Sequence, residues 1–339
     1  MKNLSFPRKT IFKLILITFV FALSGKVYAQ KSLPDLAELK DRKWNRMVKS
    51  SYRESPSLGQ LKGLVNEDLV KREDIKMPKK IGVVAIQIWD KSTTKSKKAG
   101  NWIYYTTNLL TDKGGNEISN KLKEIMLPAI ERQFKQYQIE FLEPSEFIDS
   151  NHEQKIYKNN LQQVKASGLL RGLNAASKFL LKGSRASGRM GADGYAFCPV
   201  NAKNIALDFK APASIGRVAD ALGLDAVIII DAEVSLERRG RSLVLHNLGM
   251  VVVDTPDDDT SKKFGGVIGA GMMNRYREGL TMGYAYTDLN KQIEIAELQK
   301  KTHEINEWDL DGLEEVAYRM AGDVYLGMNS YVNMEKNPR

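Results

Sequence analysis

Two acidic residues and one histidine come nearest, by type and spacing, to a catalytic arrangement in this chain. Asp231 and Glu233 stand two positions apart in the stretch ALGLDAVIIIDAEV (221–234), and His246 lies in the next apolar stretch. Residues two apart on a strand share a face, and a turn of about four residues would place His246 opposite Glu233. A carboxylate beside an imidazole can do acid–base catalysis when a pocket holds both groups against a substrate.

A simple alternation of polar and apolar residues explains the positions of Asp231 and Glu233 without a catalytic role. From position 228 onward, apolar residues alternate with Asp231, Glu233 and Ser235. This alternation predicts a strand with one buried face and one solvent-exposed polar face. We therefore predict that no residue here is catalytic. An envelope hydrolase that uses this acidic strand face is the alternative.

The remaining reactive residue types lack the spacing that metal, phosphate or nucleophile sites need. None of the three histidines has a partner at metal-ligand spacing, and Cys198 is the only cysteine. The acidic run DTPDDD (254–259) lacks the spaced ligands and central glycine of a calcium loop. The glycine-rich stretch GGVIGAG (265–271) does not end in Lys-Ser or Lys-Thr, as a phosphate loop would. The sequence therefore predicts no metal and no cofactor.

The first half of the chain has the pattern of a strand, a helix and a second strand. The stretch IGVVAIQIWD (81–90) is apolar at nearly every position, which is typical of a central strand covered on both faces. Apolar residues then recur at helical spacing from Ile118 to Phe134, and QIEFLEP (138–144) predicts a short strand and turn. This order is the repeating unit of an α/β domain.

The second half of the chain adds a hairpin and a closing helix. A helix over 215–222 leads into a strand over 226–237, and the turn RRGR connects it to 242–253 as an antiparallel hairpin. We expect a third strand within 263–273 and a final helix over 313–328. The predicted fold is a mixed sheet with flanking helices, of the α/β (α+β) class.

The first residues of the chain have the pattern of an export signal. Basic residues precede the apolar run LILITFVFAL (14–23), and small residues at 27 and 29 precede a cleavage site before Gln30. The run is shorter than the roughly 20 residues that span a bilayer as a helix. The chain therefore divides into a signal peptide (1–29), a polar N-terminal arm (30–78) and an α/β domain (79–339). The α/β domain contains a basic insertion over about 150–210.

Charge is distributed unevenly along the mature chain. Residues 1–29 carry five basic residues and no acid, so the remaining 46 basic and 41 acidic residues leave a net charge of +5. That modest charge and the export signal argue against nucleic acid as a partner. The stretch 154–192 has eight Lys or Arg residues and no acid, and a solvated surface is the simplest account of such a run. Its interleaved leucines favour binding to an anionic membrane or lipopolysaccharide surface instead. The residues assigned to this surface are Lys165, Arg171, Lys178, Lys182, Arg185 and Arg189.

Three stretches carry a resemblance to known envelope proteins, namely IGVVAIQIWD (81–90), ALGLDAVIIIDAEV (221–234) and LHNLGMVVVDT (245–255). Their order resembles the α/β domain shared by the N-terminal domain of TolB, the curli-secretion lipoprotein CsgG and the penicillin-binding-protein activator LpoB. The resemblance implies a TolB N-terminal-domain-like fold and a non-catalytic assembly or scaffolding role. The chain departs from the lipoproteins of this group because the predicted cleavage site lacks their lipid-anchor cysteine.

These patterns predict an exported protein, periplasmic or secreted and peripheral to the outer membrane. We expect it to act in assembly, secretion or scaffolding, without catalysis. Its expected partners are an envelope protein, an anionic membrane or lipopolysaccharide surface, and further copies of itself in an oligomer.

Overall fold

Helices flank both faces of one mixed β-sheet in the computed structural model of this chain. This arrangement confirms the predicted α/β fold class. The signal peptide and the third strand expected within 263–273 lie outside the described residues. The structure describes residues 32–51, 76–92, 94–99, 102–107, 110, 112–165, 190–208, 210–237, 241–256, 279–287, 289, 292–299 and 304–336.

The main sheet combines parallel and antiparallel strands in the order β1-β9-β8-β7-β2-β5. Strand β2 runs parallel to β5 and β7, and the other pairs along this order are antiparallel. Antiparallel pairs also join β6 to β2, β10 to β8 and β11 to β10. The strands are β1 (Val48–Ser50), β2 (Lys80–Asp90), β3 (Thr94–Ala99), β4 (Trp102–Thr107), β5 (Glu140–Leu142), β6 (Met190–Gly191), β7 (Ala226–Glu237), β8 (Ser242–Asp254), β9 (Thr281–Thr287), β10 (Ile293–Leu298) and β11 (Ile305–Trp308).

The helices divide between the two faces of the sheet and create two hydrophobic cores. Helices α3 and α8 pack against each other and against one face, which forms the first core. Helices α5, α6 and α7 cover the other face, which forms the second core. The helices are α1 (Leu33–Ala37), α2 (Asp41–Met47), α3 (Asp112–Lys135), α4 (Pro144–Phe147), α5 (Asn151–Gln162), α6 (Ala202–Ala206), α7 (Lys210–Ala221) and α8 (Leu313–Lys336).

The central strands follow the sequence pattern closely. Strand β2 lies between β5 and β7, which confirms the predicted interior strand at 81–90. Strands β7 and β8 pair along their whole length, which confirms the predicted hairpin. Both faces of β7 are buried, because its residues alternate between the first core (Ile228, Ile230) and the second core (Val227, Ile229).

The structure differs from the predicted polar arm at residues 32–51, which belong to the folded unit. Apolar residues of α1 and α2 are buried in the first core, and β1 pairs with β9. The Trp44 indole Nε1 donates a hydrogen bond of 2.8 Å to Asp323 Oδ2 of α8. The Arg319 guanidinium lies 4.1 Å from the centre of the Trp44 ring, where a cation–π contact stabilises both groups. A few apolar anchors within a polar sequence suffice to dock this segment.

Residues 151–165 and 190–208, from the predicted basic insertion, contribute directly to the second core. Tyr157 and Leu161 of α5 are fully buried, and so is Cys198. The insertion therefore includes parts that pack on the main sheet alongside α7. Strands β3 and β4 are different, because they form a separate two-stranded antiparallel sheet, hereafter the ribbon.

Candidate functional site

Polar side chains gather where the parallel strands β2 and β7 end. Asp231, Glu233 and Ser235 lie on the last part of β7, and Lys91 directly follows β2. The carboxyl ends of parallel strands are the usual place for ligand sites in open α/β sheets. His246 of β8 joins the same group through Ser235. We call these five residues the polar cluster.

Asp231 and Glu233 are buried, which corrects the prediction of a solvent-exposed strand face. Asp231 is 3% exposed and Glu233 is 8% exposed. Alternation along β7 is as predicted, but residues 195–202 cover the polar face. We call residues 195–202 the cover segment. An alternating pattern identifies two faces, and it does not show whether a distant segment covers the polar one.

Side chains from β2 and α5 fasten the cover segment through its backbone. The Tyr157 hydroxyl donates to the Val84 carbonyl oxygen and accepts from Ala196 N, both at 2.7 Å. The Gln87 side chain donates to the Cys198 carbonyl oxygen at 2.9 Å and accepts from Cys198 N at 2.8 Å. Gln87 thus binds one residue of the cover segment as a neighbouring strand would.

Asp231 supplies the third fastening point. Its Oδ2 accepts a hydrogen bond of 2.5 Å from Ala202 N, at the start of α6. Gly249 lies directly opposite Asp231 on β8. A Cβ atom at Gly249 would lie 2.7 Å from Asp231 Oδ1, which is too close, and 3.0 Å from the Ala202 Cβ, which is a tight contact. A glycine opposite Asp231 therefore leaves the room that its carboxyl group needs.

The environment of Asp231 favours its protonated form. Burial raises the pKa of the Asp231 carboxyl to about 8, and the negative charge of Glu233 adds to this effect. The hydrogen bond from Ala202 N and the positive charge of Lys91 oppose the rise. Perturbed carboxyl groups are common in active sites, but a buried structural carboxyl shifts for the same reason.

The negative charge of Glu233 is balanced by Lys91, and its carboxylate binds two partners. One carboxylate oxygen forms an ion pair with Lys91 Nζ, and the other accepts from Asn201 Nδ2 at 3.0 Å. The Asn201 side chain also accepts from Asn204 N at 2.9 Å and so caps helix α6. Glu233 thereby links the end of β2, the end of the cover segment and the start of α6.

Ser235 and His246 form a close pair beside this network. Ser235 Oγ lies 2.7 Å from His246 Nε2. Glu233 pairs with Asn247 and Val234 pairs with Leu245, so His246 is the extra residue of a β-bulge and does not lie opposite Glu233 as expected. Burial lowers the pKa of the His246 imidazole, and the positive charge of Lys91 lowers it further.

The chemical capacity of the polar cluster is limited by what its groups already bind. A serine paired with a neutral imidazole is the starting arrangement of a nucleophilic site. Ser235, however, is only 2% exposed. The two carboxyl groups bind backbone and side-chain groups that hold the cover segment and α6. The polar cluster therefore joins the ends of β2 and β7 to the cover segment through hydrogen bonds and an ion pair.

Sequence reasoning identified three members of this site and missed the others. It singled out Asp231, Glu233 and His246, and the structure places all three in the polar cluster. It did not single out Lys91 or Ser235 as site residues, and it missed Gln87 and Tyr157, which bind the cover segment. Gln87 carried a signal, because a polar residue inside the buried run IGVVAIQIWD must find hydrogen-bond partners. Nothing in the sequence around Tyr157 identified Val84 and Ala196 as its partners.

The predicted anionic-surface residues fall almost entirely outside the described residues. Lys165 follows α5 and is exposed. The other five residues of that set, Arg171, Lys178, Lys182, Arg185 and Arg189, are not among the described residues. In the described ranges, no three or more His, Cys, Asp or Glu residues are grouped to hold a metal ion. Within the described part of the chain, none of the helices has the length and apolar composition needed to cross a bilayer.

Comparisons of the chain with family models, with curated proteins and with solved structures found no match.

Proposed function

We propose that this chain is an exported, non-catalytic protein of the cell envelope. It acts in assembly, secretion or scaffolding by binding an envelope protein or the membrane surface. The export signal over 1–29 supports the location, and the resemblance to the TolB N-terminal domain supports the role. A periplasmic or secreted protein that associates peripherally with the outer membrane fits both.

One structural observation carries the non-catalytic part of this proposal. The carboxyl groups of Asp231 and Glu233, which the sequence offers as an acid pair, bind Ala202 N, Asn201 and Lys91. Groups that hold a cover segment in place are structural, because moving them to meet a substrate would leave polar partners such as the buried Ala202 N–H unsatisfied. Each such loss costs about 1–3 kcal/mol.

Cell fractionation tests the proposal. The full chain, with a C-terminal tag, is expressed in a bacterium with an outer membrane, and the mature N-terminus is sequenced. We expect the mature chain to begin at Gln30, to fractionate outside the cytoplasm, and to leave the envelope fraction in a high-salt wash. A cytoplasmic protein that retains Met1 would overturn the proposal. Changing Lys165, Arg171, Lys178 and Lys182 together to Gln tests whether the basic segment contributes to envelope binding.

The 2.7 Å contact between Ser235 and His246 favours a second candidate, an envelope hydrolase. On that reading the imidazole is the general base for the Ser235 hydroxyl, and the cover segment would have to open to admit a substrate. A panel of ester and amide substrates tests this candidate with the wild-type chain and with His246→Ala. Turnover that His246→Ala abolishes, in a chain that keeps its wild-type melting temperature, would replace the non-catalytic proposal.

A further inference from the structure

The ribbon brings together two stretches of unusual composition. Strand β3 has the sequence TKSKKA and β4 has the sequence WIYYTT. Between Lys91 and Thr111 the chain contains four lysines and no acidic residue. Lys91 is paired with Glu233, so three lysines belong to the ribbon itself. The ribbon is therefore a cationic and aromatic element by composition.

The register places lysine and aromatic or apolar positions next to each other. Lys97 pairs with Tyr104, Lys98 pairs with Ile103, and Ala99 pairs with Trp102. The pairing thus sets lysines of β3 opposite aromatic or apolar residues of β4. Neither stretch has this character alone, because one is basic and the other is aromatic.

The base of the ribbon is fastened to the end of the main sheet. The buried Asp90 carboxylate, at the end of β2, accepts from Ser92 N and from Leu110 N, both at 2.8 Å. These two residues flank the ribbon, so one carboxylate joins its two ends. Ser92 Oγ accepts from Leu236 N of β7 at 2.8 Å. The residues that flank the ribbon on both sides are therefore fastened at the same end of the sheet as the polar cluster.

Two physical arguments favour a membrane surface as the partner of the ribbon. A two-stranded sheet is only marginally stable by itself in water, so a contact that covers it would stabilise it. Lysines are drawn to anionic lipid head groups, and Trp and Tyr concentrate at the interface between head groups and acyl chains. The ribbon supplies both residue types together and no acid that would repel such a surface.

We propose that the β3–β4 ribbon binds an anionic membrane surface. This inference rests on the proposed function and deepens it, since it names the element and the surface that meet. Binding is peripheral, and it combines electrostatic attraction of Lys95, Lys97 and Lys98 with interfacial contact of the residues of β4. The basic segment that contains Lys165 is a separate source of attraction.

Vesicle co-sedimentation of the mature chain tests this proposal. Vesicles of phosphatidylglycerol and phosphatidylethanolamine are compared with neutral phosphatidylcholine vesicles, at low and at high salt. The ribbon variant changes Lys95, Lys97 and Lys98 to Gln. A charge-matched control changes three exposed lysines elsewhere to Gln, at Lys43, Lys76 and Lys79.

We expect the ribbon variant to lose most of the affinity for anionic vesicles. Each lysine near such a surface contributes about fivefold, so removing three should lower the partition coefficient by at least about tenfold. The control variant should lose less than about threefold, because its lysines belong to other parts of the chain than the ribbon. Wild-type binding should fall with rising salt, since the Debye length shortens.

Tryptophan fluorescence locates the contact independently of charge. On binding anionic vesicles, the emission should shift to the blue as Trp102 enters the interface, and Trp102→Phe should remove most of that shift. Trp102→Phe is a mild change that keeps an aromatic residue in β4, so it guards against loss of the ribbon fold.

Separate outcomes distinguish this inference from the proposed function. If the mature chain is exported and binds the envelope but both lysine variants bind vesicles equally, the ribbon inference fails and the proposed function stands. If the ribbon crosslinks to a protein or to a second copy of the chain and the vesicles do not bind, the membrane inference is also overturned. A cytoplasmic chain overturns the proposed function, whatever its vesicle binding.

Discussion

The buried carboxyl group of Asp231 should make the stability of this protein depend on pH in a specific direction. The pKa of Asp231 is about 8 in the folded chain, against an ordinary value of 3.8. Between these two values the folded chain keeps the proton and the unfolded chain has lost it. Stability contributed by the neutral group is therefore complete below pH 4, and it is lost as pH rises toward 8.

The size of this effect follows from the two pKa values. Each pH unit within the window changes the free energy of unfolding by about 1.4 kcal/mol. Between pH 5 and pH 8 the loss integrates to about 3–4 kcal/mol. That is a large part of the 5–15 kcal/mol that stabilises typical domains. The change Asp231→Asn removes the ionisation and keeps an oxygen that can accept from Ala202 N.

Urea denaturation of the mature chain at pH 5, 6, 7, 8 and 9 measures the effect. Other ionisable groups titrate in both proteins, so the difference between wild type and Asp231→Asn isolates this carboxyl group. At pH 5 we expect the variant to be no more stable than wild type, because its amide replaces a well-placed carboxyl. The difference should then move by about 3–4 kcal/mol in favour of the variant by pH 8. A difference that stays constant with pH, or moves the other way, would refute the reasoning.

Three further changes test the packing around the site and the N-terminal segment, each by urea denaturation. Gly249→Ala should lower the free energy of unfolding by about 1–3 kcal/mol, because its Cβ would overlap the Asp231 carboxyl, and the loss should shrink when Asp231 is also changed to Ala. Asp323→Ala should cost about 1–3 kcal/mol by leaving the buried Trp44 indole N–H without its acceptor, while Asp323→Asn should cost less; equal costs would contradict this account. Gln87→Leu should cost more than about 2 kcal/mol, because it unpairs two buried backbone groups at once, and an unchanged unfolding midpoint would show that Gln87 does not fasten the cover segment.

The central strands were predictable because their signal is local. Strand β2 is apolar at nearly every position, and β7 and β8 alternate with a short turn between them, so periodicity alone identifies them. The exact pairing of residues between β7 and β8 was harder to predict from the sequence. A single extra residue, His246, shifts the pairing of β8 after Glu233, and bulges of this kind leave no clear pattern in the sequence.

The burial of the polar face was not predictable, because it depends on contacts between distant parts of the chain. Asp231 is covered by residues about 30 positions away in sequence, and its partner Ala202 donates through the backbone. A backbone donor has no residue type that a sequence pattern could reveal. The packing of residues 32–51 on the first core could not be predicted for a related reason. Trp44 and its few apolar neighbours stand among mostly polar residues, so the segment has no clear apolar pattern.

The way in which the cover segment is fastened has a consequence for the substitutions that it can accept. Ala196, Cys198 and Ala202 are bound through backbone groups, and their small side chains are buried. Phe197 is only partly buried and Pro199 is exposed. A proline has no N–H to donate, so it suits the exposed position and would break the segment at 196, 198 or 202. Substitutions along this segment should therefore be rarest at 196, 198 and 202, where a small side chain and a backbone donor are both needed, and most freely accepted at the exposed position 199.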